Sequence, residues 1–175
     1  MKLVPAIVLA TLALVQPATA RPLQCAPYAR ENSAIDLHGN AASWWEQAKG
    51  TYAQGQAPRA GAVLVFKATG AMPVGHVAVV RKIVDQRHVL LNHANWSRPG
   101  MIETSAMAED VSTKGDWSSV RVWYAPTRSL GLRASPAHGF IYAPGSDGTM
   151  LASEAASDTP SEAFMSAFPD ASKQG

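Results

Sequence analysis

The sequence predicts an α+β fold, with N-terminal helices packed on an antiparallel β-sheet. Three observations carry that expectation. Helix signals cluster between residues 25 and 50, and the apolar runs that follow are rich in β-branched residues. A short turn, Asp85-Gln86-Arg87, joins two of those runs as a hairpin.

The elements follow in order. Pro27 in "CAPYARENSA" is tolerated only in a first helical turn, so a helix begins at about Cys25 and runs towards Asn32-Ser33. A second helix spans about Ala41 to Lys49 and is closed by Gly50. A turn marked by Pro58 and Gly61 leads into a strand from Ala62 to Phe66. After the loop "KATGAMPVG" comes the strand "HVAVVRKIV", and "HVLLNHANW" returns beside it. The last strand covers Val120 to Tyr124.

Both ends of the chain differ from this body. Residues 1–20 have Lys2, an apolar run from Leu3 to Val15, and the small-residue triplet Ala18-Thr19-Ala20, the layout of a secretory signal peptide. The apolar run is short of the roughly 20 residues a span needs, so no membrane insertion is expected after cleavage. Localisation is expected to be periplasmic or secreted. Residues 135–175 are crowded with Ser, Ala, Pro, Gly and acids, and are expected to form a disordered tail. Five acids and Lys173 give that tail −4, which leaves 13 basic and 8 acidic groups, a net +5, on residues 21–134. A basic body fits work near an anionic polymer.

Cys25 is the only cysteine. Export compartments select for paired cysteines or none, so a lone one points to intermolecular pairing or a reactive thiol. Its place at a helix start favours thiolate over thiol. A cysteine nucleophile needs a base, and the chain offers five histidines. His38 lies beside Gly39, His88 follows the hairpin turn and His138 lies in the tail, so all three are expected in solvent. His76 follows Gly75 at the start of an apolar strand and is the candidate base. Alternation along the returning strand points His93 and Asn95 the same way, towards His76, where a polar group would fix the ring's tautomer. No H-x-x-x-H or C-x-x-C spacing suggests a metal, and no cofactor is expected. No basic run with interleaved aromatics suggests nucleic acid. Asn95-Trp96-Ser97 also matches the glycosylation sequon, a short motif that often matches by chance.

In this order, Cys25 opening "CAPYAR", the turn "PRAG" before a strand, "GHVAVV" and "HANW" resemble the CHAP family, the cysteine, histidine-dependent amidohydrolases and peptidases. The resemblance spans about Leu23 to Tyr124 and marks residues 21–134 as a CHAP-like catalytic domain. It implies a papain-like fold and an enzyme that cuts amide bonds, most often in peptidoglycan stem peptides. It makes Cys25 the nucleophile and His76 the base. It leaves His93 and Asn95 as candidates to orient that base, with His93 first. A histidine there departs from the usual Glu, Asp or Asn, and Ala62 stands where the family turn usually carries an acid. By analogy Gln24 contributes to the oxyanion site, and Trp96 shields the base or lines the cleft. Specificity is expected in the loops "KATGAMPVG" and "SRPGMIETSAMAEDVSTKGDW". The alternatives are an amidase on another small amide conjugate, or a non-catalytic wall-binding scaffold with the same fold.

Overall fold

The computed structural model describes residues 22–145. The expected signal peptide, residues 1–20, and the expected tail beyond residue 145 lie outside the described residues. Two helices come first, α1 (Cys25–Glu31) and α2 (Ala41–Gln47). Eight strands follow: β1 (Gln54–Gly55), β2 (Val63–Phe66), β3 (His76–Ile83), β4 (His88–Ala94), β5 (Ile102–Asp110), β6 (Ser119–Tyr124), β7 (Ser129–Leu130) and β8 (Ser135–Ile141).

The sheet closes on itself, which corrects the α+β expectation. Antiparallel pairing runs β8-β2-β3-β4-β5-β6, and β6 pairs again with β8 through Ser119–Pro136 and Val120–Ser135. The result is a mostly β protein, a closed six-stranded antiparallel barrel with two helices of seven residues each. It is not a papain-like layer of helices on an open sheet. Two strands outside the sequence reading make the difference. β5 lies in a segment read as a specificity loop, and β8 occupies the first residues of the expected tail. β8 also carries His138, which is half-buried and stacks on Trp45 with ring centroids 5.4 Å apart, where a solvated tail residue was expected.

Alternation builds two cores from the same strands. Leu64 and Phe66 of β2, with Ala78 and Val80 of β3, fill the barrel with Val89, Leu91, Ala108, Trp117 and Phe140. Val63, Val65, Val77 and Val79 point outward and meet Ala29, Ile35 and Trp44 from the helices and the segment between them. β2 is therefore buried on both faces, which explains its unbroken apolar run "VLVF".

Gly75 fixes the start of β3. Its φ of +68° is left-handed, and a Cβ there would lie 2.7 Å from the Ala42 backbone nitrogen. The chain on either side is tied down as well, because the Ala42 N–H donates to the Val74 carbonyl at 2.8 Å. α2 thus sets the position from which His76 projects.

Candidate active site

The rows of side chains inside the barrel end in polar groups at one end. His76 lies in line with Ala78 and Val80, and His93 with Leu91 and Val89. Register pairs Phe66 with His76 and His93 with Glu103, so all four side chains share that end. His76 is 3 % exposed and His93 is fully buried. Trp96 packs over both rings, with centroids 4.8 Å from His76 and 5.8 Å from His93.

Cys25 arrives from outside the barrel, at the first residue of α1. Gln24 precedes the helix, and its side chain caps nothing in α1. The sulfur accepts from the backbone N–H of Val77, the residue after His76. Burial pushes the thiol up, against the pull of the Val77, Ala26 and Cys25 N–H groups in the other direction. The helix start therefore favours thiolate as anticipated from sequence, but desolvation outweighs it.

His76 Nε2 and His93 Nδ1 are 3.1 Å apart and share one hydrogen bond. That leaves Nδ1 as the free nitrogen of His76. Burial, and secondarily the charge of His93, hold His76 well below the ordinary imidazole range. Burial takes His93 down to about 4. Near pH 7 both rings are neutral, each with one N–H and one bare nitrogen. An arrangement of neutral thiol and neutral imidazole can transfer a proton as the sulfur attacks, and does not need a preformed ion pair.

Asn95 lies elsewhere than the strand alternation implied. β4 ends at Ala94, and Asn95 adopts a left-handed φ of +64°, which Asn tolerates. Its side-chain amide donates to Gln24 Oε1 at 2.9 Å, and its Oδ1 accepts from the Gly100 N–H at 2.9 Å. Asn95 therefore holds Gln24, while His93 holds His76. The Gln24 amide nitrogen donates one hydrogen to the Pro22 carbonyl at 3.0 Å and has a second to offer. Of the other histidines, His38 is exposed and bonded to Arg30 and Asp36, and His88 is bonded to Asp85.

One acid at this end escaped the sequence reading. Glu103 is buried, and its Oε2 lies 3.6 Å from His93 Nε2. Alternation back from the buried Ala108 and Ala106 would send Glu103 outward. A bulge reverses the phase: register slips between Leu91 and His93, with Ser105 at a φ of +61°. The Ser105 N–H donates to Asn92 Oδ1 at 2.9 Å, which holds the bulge in place. The stretch "IETSAMAED" carries no apolar–polar alternation from which the facing of Glu103 could be read. Among the described residues, no group of three or more His, Cys, Asp or Glu side chains is arranged to hold a metal ion. None of the described helices is long and apolar enough to cross a membrane.

The CHAP domain family model matches residues 16–95, a span that contains Gln24, Cys25, His76, His93 and Asn95. No curated protein matches the chain. CHAP domains are hydrolytic domains of the amidase and peptidase class, commonly acting on peptidoglycan. Over that span, the chain is similar to the CHAP domain family.

Proposed function

We propose that this protein is an exported, periplasmic or secreted, cysteine-dependent hydrolase that cuts amide bonds in peptidoglycan stem peptides, as an amidase or endopeptidase. The observation that carries the reading is the buried 3.1 Å bond between His76 and His93 beside the only cysteine of the chain. A retired scaffold has no need of a base oriented in this way. The excess of basic groups on the body suits an anionic wall polymer.

The chemistry follows from the residue types. Cys25 gives its proton to His76 Nδ1 as the sulfur forms a bond to the amide carbonyl carbon. The resulting oxyanion accepts from the Cys25 backbone N–H and from the second hydrogen of the Gln24 amide. His76 passes the proton to the amine, the C–N bond breaks, and an acyl-enzyme remains. Water then adds to that thioester, giving one proton to His76, and the thiol is regenerated as the acid departs. Trp96 excludes bulk water from the rings. Asn95 steadies Gln24.

The test is mass spectrometry of muropeptides after incubation with the protein. New fragments differing by one hydrolysed amide are expected with the wild type. None should form with Cys25→Ala or His76→Ala, whose circular dichroism should match the wild type. Cleavage retained by Cys25→Ala would sink the scheme.

A further inference from the structure

The hydrolytic steps above make no use of Glu103, yet its carboxylate is the acceptor offered to an otherwise unpartnered buried nitrogen. His93 Nε2 is buried without a hydrogen-bond partner, and Glu103 Oε2 lies 3.6 Å from it. The carboxylate is itself held in place. Oε1 accepts from the Ser97 hydroxyl at 2.7 Å, and Oε2 accepts from the Ser97 N–H at 3.1 Å. Ser97 is anchored in turn, since its oxygen accepts from the Ala125 N–H at 3.0 Å.

Two directions are open to the bond between the rings. If His93 Nδ1 donates, the bare Nε2 of His93 faces the carboxylate, acceptor against acceptor. If His76 Nε2 donates, His93 carries its proton on Nε2 and directs it at Glu103. Only the second direction leaves His76 Nδ1 bare and able to take a proton from a thiol. The titratable groups at the ring pair are His76 and His93 themselves and Glu103 from β5, while Cys25 of α1 is bonded to the Val77 N–H, one residue along from His76.

We infer that Glu103 is a positioning residue: its carboxylate, on the far side of His93 from His76, selects the tautomers of both rings and so frees His76 Nδ1 for Cys25. The inference rests on the reading of Cys25 and His76 as nucleophile and base. Glu103 never touches the substrate. It acts through two imidazoles, and a charge at the end of that line also favours the imidazolium formed when the thiol gives up its proton.

The test is nitrogen-15 NMR of the imidazole rings in the full chain, wild type and Glu103→Gln, with kinetics on the same samples. The wild type should carry its ring protons on Nε2 of both His76 and His93. In Glu103→Gln an amide that donates as well as accepts replaces the carboxylate, and the His93 proton should divide between its two nitrogens. There kcat should fall about 100-fold with KM unchanged within about twofold, less than the ~10⁴-fold loss when a group directly on the base is altered. Ser97→Ala keeps the carboxylate and its backbone tie but removes the hydroxyl tie, so it should lower the melting temperature while the proton stays on His93 Nε2. A wild-type His93 protonated on Nδ1 would overturn the inference, and that spectrum decides even if the Gln variant does not fold. Unchanged tautomers and kcat in Glu103→Gln would overturn it too. A wild type with both protons on Nε2 but no hydrolysis would remove the hydrolase reading and leave the role of Glu103 standing.

Discussion

The β4–β5 pair has a polar cluster at each end, and the two clusters are built to opposite standards. At the turn end, Asp110 is buried and fully engaged. Its Oδ2 accepts from Arg87 at 2.9 Å and its Oδ1 from the Ser112 N–H at 2.9 Å, while Arg87 also reaches the Asp110 and Ser112 carbonyls. At the other end, His93 Nε2 has no partner within hydrogen-bond reach, and two buried imidazoles stand without charge. An unpaired buried polar group costs about 1–3 kcal/mol. The first cluster satisfies its polar atoms, whereas the second leaves one buried ring nitrogen unpaired. The same hairpin thus carries a clasp at one end and the proposed reactive centre at the other.

The contrast can be broken most strongly at the clasp. Arg87→Ala leaves Asp110 buried and uncompensated, and should lower unfolding free energy by about 3 kcal/mol, at the lower end for such pairs because Arg87 is partly exposed. Urea denaturation should show this loss with kcat unchanged. A variant as stable as the wild type would erase the difference between the two ends.

Acid should act at the site end. A histidine whose folded pKa is lowered stays neutral in the native state and takes up a proton on unfolding. Its stabilising contribution is therefore complete above about pH 6.5 and is lost as pH falls towards the folded value. For His93, taken from 6.5 to about 4, the loss should be about 2 kcal/mol between pH 7 and pH 5. His76 is shifted in the same direction and adds to it. Denaturation midpoints that do not move over this range would show that the rings are not buried neutral.

The smallest effect is expected at Asn95. Asn95→Ala removes the restraint on Gln24 and should lower kcat about 10-fold, a fraction of the 10²–10³-fold typical when an oxyanion donor itself is removed. Gln24→Ala should then cost less in the Asn95→Ala background than in the wild type, because part of its contribution is already lost. Additive losses in the double variant would mean that Asn95 acts on the reaction by another route.

Much of the site was legible because its residues lie in strong local patterns. Cys25 stands out by its singularity, and His76 and His93 sit in unbroken strands whose alternation sets their faces. The barrel was not legible, and the reason is local. β8 reads "SPAHGFI", and Pro136 and Gly139 are residues that ordinarily argue against a strand. Gly139 is required there: its φ is +128°, and a Cβ would strike the Gly55 carbonyl oxygen. β5 was hidden because "IETSAMAED" has no period of two, and the bulge that turns Glu103 inward shows only in the register. Asn95 was misplaced because alternation was extended one residue past the end of its strand. Each error falls where tertiary contacts override a local period.

Closure of the barrel also bears on how a substrate is held. Among the described residues, the strands that flank the closed ring, β1 and β7, are two residues long. These two flanking strands therefore offer an extended peptide no long edge along which to pair its backbone, the route by which many peptide binders gain affinity without regard to side chains. For the proposed hydrolase, a substrate that pairs with neither strand is selected by the side chains around Cys25. Such a site would read a few chemical groups next to the scissile bond.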